Sequence, residues 1–146
     1  MSLHTRSQKH SQAAYPRVAA RQKTGFDEYS TVARKFPALI HTCGLAQAVA
    51  FAQAKRKKDK LDGGAEGQYL ADLAEVLRAG GHPEIKTADD LAKISREAAV
   101  SAYLRLSRNA IEAAVWLKRY AEAFAADTPA AGAANQAPSS GEPTHA

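Results

Sequence analysis

The run from Phe36 to Phe51, FPALIHTCGLAQAVAF, restricts the possible folds of this chain more than any other segment, because it is long and almost uncharged. Its apolar residues are small or aliphatic, with an aromatic residue at each end, which is typical of a helix buried on most sides. The run is shorter than the roughly 20 residues of a membrane span, and His41 and Gln47 interrupt it. We therefore predict the central helix, or a broken pair of helices, of a small domain.

Three residues in this run bear on where its helices begin. Pro37 suits the first turn of a helix, because its missing N–H would have no partner there. Thr42 is predicted to cap a second helix that runs to about Lys57. The neighbouring Gly44 is either a hinge or a point of close contact between helices, and the sequence leaves both interpretations open.

The composition indicates an all-α protein. Alanine is abundant, β-branched and aromatic residues are sparse, and no segment alternates apolar and polar residues as a strand would. We predict a compact bundle of five to six helices in residues 1–126, followed by a disordered tail rich in Pro, Ala, Ser and Gly in residues 127–146. The N-terminus lacks the apolar core of a secretory signal, so a cytoplasmic location is expected.

Apolar spacing and capping residues predict the individual helices. A basic helix over residues 5–23 is expected to kink or restart at Pro16. The next helix starts at Phe26, and a glycine-rich loop covers residues 61–67. The remaining predicted helices are Gln68–Ala79, Ala88–Ile94 and Ser95–Ala125.

The last of these helices carries an apolar seam, with steps of three and four residues from Tyr103 to Phe124. Trp116 falls off this seam, among charged residues that include Arg119. Such a tryptophan either packs against a neighbouring helix of its own chain or anchors a contact with another subunit. Trp116 and Arg119 are therefore the candidate subunit-contact residues.

Charge is distributed unevenly along the chain. Residues 1–60 contain twelve Lys and Arg against three acids, a balance of +9, whereas residues 61–146 contain eight against twelve, a balance of −4. This asymmetry predicts one face that meets a polyanion. The acid-free segment 5–23 favours phosphate contacts over a merely solvated surface. The run Lys55–Lys60 is either a mobile nucleic-acid contact or a solvated loop.

No arrangement of catalytic or metal-binding residues is recognisable in the sequence. Cys43 is the only cysteine and lies in the apolar run, which indicates a buried, inert thiol. The histidines lack the paired spacing of a metal site. The acidic pairs Asp27-Glu28 and Asp89-Asp90 fall in the first turns of predicted helices, where they complement the helix dipole. We predict a binding module and not an enzyme, without a cofactor or metal.

Several segments in a fixed order carry a family resemblance. They are the basic start RSQK (residues 6–9), Tyr29 followed by FPALI (36–40), GLAQAVAF (44–51), YLRLSR (103–108) and WLKRY (116–120). Together they resemble the small α-helical subunit of the type III-B CRISPR–Cas (Cmr) effector complex, over about residues 5–125. Pro16 and the tail beyond Asp127 depart from the family pattern.

The resemblance implies a non-catalytic subunit for antiviral defence that stacks in several copies as the minor filament of the complex. Expected partners are CRISPR RNA, target RNA, the repeat-associated backbone subunits and the large subunit, but no membrane. RNA cleavage would belong to other subunits, and phosphate contacts would leave specificity to base pairing. The residues expected to contact RNA phosphates are Lys9, Arg17, Arg21, Arg34, Lys35, Lys55, Arg56, Lys57 and Lys58.

Two other hypotheses fit the same charge pattern. The chain would be a pure scaffold if its basic face met acidic protein neighbours. It would be a free-standing helical nucleic-acid-binding protein if it acted outside such a complex.

Overall fold

The computed structural model describes residues 3–60 and 62–127, and within these ranges it contains six α-helices and no strand. The prediction of an all-α bundle of five to six helices is confirmed. Of the predicted tail, only Asp127 is described, as the end of the last helix; residues 128–146 lie outside the described part. The helices are α1 (Arg6–Arg21), α2 (Phe26–Cys43), α3 (Leu45–Ala54), α4 (Gly64–Ala79), α5 (Ala88–Glu97) and α6 (Val100–Asp127).

α1 is a continuous helix that begins at a capping box. The Gln8 N–H donates to Thr5 Oγ1 over 3.0 Å, and the Thr5 N–H donates to Gln8 Oε1 over 2.8 Å. The helix continues through Pro16 to Arg21, so the predicted restart does not occur. Pro16 is exposed to solvent. Its missing N–H removes one backbone hydrogen bond, and the helix continues through the turns on either side.

The uncharged run is divided between α2 and α3 at Gly44. This glycine has a φ of 88°, and a Cβ there would lie 3.3 Å from Tyr103 Oη of α6. Gly44 is therefore both a hinge and a point of close helix contact. Two predictions were wrong: Pro37 lies inside α2 and not in its first turn, and Thr42 belongs to α2 and caps no helix.

Two other helix boundaries also differ from the prediction. α4 begins at Gly64 and not at Gln68, because Asp62 Oδ1 accepts a hydrogen bond from the Gly64 N–H over 3.1 Å. A glycine is required at position 67 for the helix to begin there, since a Cβ on Gly67 would lie 2.3 Å from the Asp62 carbonyl oxygen. α6 begins at Val100 and not at Ser95, which lies in α5.

The core lies where α2, α4 and α6 meet, and α1 packs on α4 and α6. Its largest buried side chains include Tyr29, Phe36 and Tyr69, and burial of a phenylalanine such as Phe36 contributes about 1.5–3 kcal/mol. The seam predicted on α6 is confirmed by its buried members, which are Leu106, Ala110, Ala113 and Leu117.

Candidate nucleic-acid interface

A buried carboxylate pairs with two of the predicted RNA-binding arginines. Asp72 of α4 is fully buried and accepts from Arg17 Nε at 2.7 Å and from Arg21 Nε and Nη2 at 2.9 and 2.8 Å. The Tyr29 hydroxyl donates a fourth hydrogen bond at 2.6 Å. A buried charge is tolerated when it is paired and hydrogen-bonded in this way. One carboxylate therefore joins α1, α2 and α4.

The cluster fixes the protonation of its donors. The hydrogen bonds from Arg21 to Asp72 raise the pKa of the Arg21 guanidinium above its usual range. Burial, together with the Asp72 charge, raises the pKa of the Tyr29 hydroxyl far above its usual range. Tyr29 therefore remains a donor at every physiological pH. The two arginines and one carboxylate leave one net positive charge, and Arg17 and Arg21 keep 38% and 21% of their side-chain surface exposed.

The role of Asp72 was not predicted from the sequence, although helical spacing indicates its burial. It lies three residues after Tyr69 and four before Val76, both of which are buried, so helical spacing places the carboxylate on the inner face of α4. An acid on that face requires a cationic partner from another element.

Lys35 and Lys55 lie on one groove. The groove runs between α2 and α3, has a volume of about 520 Å³, and is lined mainly by apolar side chains. Within the described ranges, neither lysine forms an ion pair, and Lys55 Nζ lies 4.8 Å from the centre of the Phe51 ring. Arg34, also on α2, is exposed and donates to the Ser30 carbonyl oxygen of its own helix at 3.3 Å.

The loop after α3 presents the other predicted cations. Arg56 Nη1 lies 3.8 Å from Asp89, and Lys57 Nζ lies 3.8 Å from Glu28. Such half-exposed pairs contribute only about 0–1 kcal/mol and can exchange partners. Lys58 is exposed, and it pairs with no acid in the described part of the chain. This loop therefore adds exposed cations beside the groove that contains Lys55.

The helices that carry Lys9 (α1) and Trp116 and Arg119 (α6) pack against each other. Lys9 and Arg119 are exposed. Trp116 is half-buried, and its Nε1 donates to Ser7 Oγ over 3.0 Å while its ring stacks on Tyr120 at 5.6 Å. Of the two alternatives for Trp116, packing on a neighbouring helix is what the structure shows, and a further subunit contact remains a prediction.

The aromatic residues separate into buried and exposed sets. Phe26, Tyr29 and Phe36 of α2 are buried and pack in the core. Phe51, at the end of the uncharged run, is half-exposed and was not identified as a candidate from the sequence. The end of an apolar run is expected to be buried, so only the structure distinguishes Phe51.

The described residues contain neither a metal-binding cluster nor a membrane-spanning helix. No group of three or more His, Cys, Asp or Glu side chains within residues 3–60 and 62–127 could hold a metal ion. Among the helices in those same ranges, none is long and apolar enough to cross a membrane.

Comparisons with known proteins agree with the resemblance in the sequence. A family model described as CRISPR-associated protein (Cas_Cmr5) matches residues 6–124. A protein described as CRISPR system Cmr subunit Cmr5, from Thermus thermophilus, is 38% identical over 123 residues, which are 84% of this chain and 97% of the relative. The crystal structure of a CRISPR-associated Cmr5 family protein from the same organism has a TM-score of 0.71 and 38% identity, covering 83% of this chain and 97% of that one. This chain therefore belongs to the Cmr5 family of CRISPR-associated proteins.

Proposed function

We propose that this chain is a non-catalytic subunit of an RNA-guided type III-B CRISPR effector complex, and that it contacts the guide–target RNA duplex through phosphates. Its membership of the family supports this proposal, as does the relative from Thermus thermophilus, whose description is that of a Cmr subunit. The proposed partners are CRISPR RNA, target RNA, the repeat-associated backbone subunits and the large subunit. Several copies would stack in a filament, with Trp116 and Arg119 at a subunit contact.

The observation that carries the RNA proposal is a group of cations that the chain does not neutralise. Lys35, Lys55 and Lys58 are exposed and have no acidic partner among the residues that the structure describes. They lie on neighbouring elements, α2 and the end of α3 with its following loop. Binding of such unpaired cations to a phosphate backbone is favourable, because it releases the counterions that are condensed on that backbone.

The predicted cations contribute unequally to this proposal. Arg34, Arg56 and Lys57 are sequence neighbours of these lysines, and their weak contacts leave them available to phosphates. Arg17 and Arg21 are paired with Asp72. The three side chains together therefore carry one net positive charge at a fixed position. Lys9 lies on the first half of α1, and we propose it as a separate phosphate contact.

The salt dependence of RNA binding tests this function. In the assembled complex, the triple variant Lys35→Ala/Lys55→Ala/Lys58→Ala should bind target RNA more weakly. Each lost phosphate contact should reduce the slope of log affinity against log salt by about 0.7–0.9. The matched control is Lys86→Ala/Lys93→Ala/Arg96→Ala, which removes three exposed cations from the segment around α5.

An unchanged slope in the triple variant would contradict the RNA contact. If that variant also lost co-purification with the other subunits, the pure scaffold would be the better description. The same slope change in the control would show that total charge, and not this surface, determines binding.

A further inference from the structure

The groove between α2 and α3 combines an apolar lining with cations at its edge. Val32, Leu39 and Ala52 contribute apolar surface, and Lys35 and Lys55 contribute the cations. Its volume of about 520 Å³ falls within the range of roughly 300–1,000 Å³ that is usual for sites of small organic groups. The groove is therefore large enough for a heterocyclic ring with its attached groups.

Phe51 is the aromatic side chain that this groove exposes. Half of its surface, 51%, is open to solvent. Tyr15 is equally exposed, but it packs edge-on against Tyr120 and Phe124 at 5.3 and 5.4 Å. Phe51 stacks on no other ring within the described residues. The Lys55 ammonium lies 4.8 Å from the centre of its ring. The ring is thus exposed and, among the described residues, has no aromatic partner.

The charge at the edge indicates what kind of group would occupy the groove. Lys35 and Lys55 have no acidic partner in the described ranges, and Glu66 is the one acid among the lining residues described. An apolar protein segment would take water from both lysines without offering an anion, which costs free energy. A nucleotide supplies a flat ring for the apolar walls and a phosphate for the lysines.

We propose that this groove binds an unpaired nucleobase of RNA, which stacks on Phe51 while Lys35 and Lys55 contact the adjoining phosphates. The proposal rests on the proposed function, because it extends the same cationic surface from phosphate contacts to a base contact. Stacking on an aromatic ring tolerates any base, so the contact selects single-stranded RNA without selecting a sequence.

Binding of the full-length chain to two matched probes tests this proposal. One probe is a single-stranded oligoribonucleotide of about ten nucleotides, within the usual site sizes, and the other is an abasic strand of equal length and charge. The wild type should prefer the base-bearing strand by about 5- to 150-fold, the range usual for stacking of one base. Phe51→Leu should lose this preference but keep its affinity for the abasic strand, whereas Phe51→Tyr should keep the preference.

Matched variants separate stacking from general effects. Leu104→Ala alters another apolar side chain that is exposed to the same degree, 53%, and should change neither affinity. Lys35→Ala/Lys55→Ala should weaken binding of both strands, because both carry phosphates. Circular dichroism and thermal unfolding confirm that each variant is folded.

Three outcomes would overturn the proposal. Equal binding of both strands by the wild type would refute base stacking while leaving phosphate contact intact. A wild-type preference that survives in Phe51→Leu would place the base elsewhere on the chain. Binding of neither strand would refute both this proposal and direct RNA contact by the chain.

Discussion

Replacing Asp72 by asparagine removes the charge that joins α1 to α4 while keeping the size of the side chain. In Asp72→Asn, Arg17 and Arg21 would lose their common carboxylate, and the amide nitrogen would face guanidinium donors that it cannot satisfy. The Tyr29 hydroxyl would also lose its charged acceptor. The variant is therefore expected to be destabilised at the contact between α1, α2 and α4.

The size of the effect follows from the burial of the carboxylate. Breaking a buried ion pair by removing one partner costs about 3–5 kcal/mol. Arg17 and Arg21 remain partly exposed, at 38% and 21%, so water stabilises the released cations and the lower end of that range applies. We expect a loss of about 3 kcal/mol, which lowers the melting temperature of a domain of this size by about 10 °C.

Urea unfolding of the full-length chain, followed by far-UV circular dichroism, measures this loss. The matched control is Glu75→Gln, which removes a half-buried acid on α4 that pairs with Arg78 at the surface. This control should change stability by about 0.5 kcal/mol or less. A loss below about 1 kcal/mol in Asp72→Asn, on the scale expected of an exposed pair, would refute the role assigned to the buried carboxylate. An equal loss in both variants would refute it too.

Three further predictions concern glycine positions and a buried histidine. Gly44→Ala forces a side chain to adopt a φ of 88° and to approach Tyr103 Oη at 3.3 Å, so thermal unfolding should show a loss of about 1–3 kcal/mol. In Gly80→Ala, the new Cβ would lie 2.2 Å from the Nε2 atom of buried His10, and the clash should cost at least about 1–3 kcal/mol in urea unfolding. Burial lowers the pKa of His10, against the opposing effect of Glu112. The unfolded state then binds the proton more tightly, so stability should fall as pH falls below about 6.5. His10→Gln should show a weaker pH dependence of unfolding in that window, and an unchanged one would contradict the assignment.

The helical class could be predicted from the sequence because it depends on local patterns. The seam of α6 follows from steps of three and four residues, and Leu106 and Leu117 are buried as that spacing requires. Helix boundaries were less predictable, because they depend on single contacts. The start of α4 at Gly64 depends on the Asp62 side chain, and Gly44 at the end of α2 lies against Tyr103 of a distant helix.

The binding surface was only partly predictable, for a different physical reason. Counting charges identifies cations but not their counterions, and Arg17 lies 55 positions from Asp72 in the sequence. The sequence therefore could not separate Arg17 and Arg21 from cations that remain unpaired, such as Lys35. Likewise, Phe51 ends an apolar run, and no local pattern distinguishes its exposed ring from the buried ring of Phe36.

The Asp72 cluster also imposes an order on the folding of the chain during synthesis. Arg17 and Arg21 leave the ribosome more than fifty residues before the carboxylate that pairs with them. A sixteen-residue helix is only marginally stable alone, so α1 waits undocked until α4 has been made. A chain that starts after α1 would fold around a carboxylate without its guanidinium partners. Removing α1 is therefore expected to destabilise the rest of the domain, because Asp72 would stay buried without its cations.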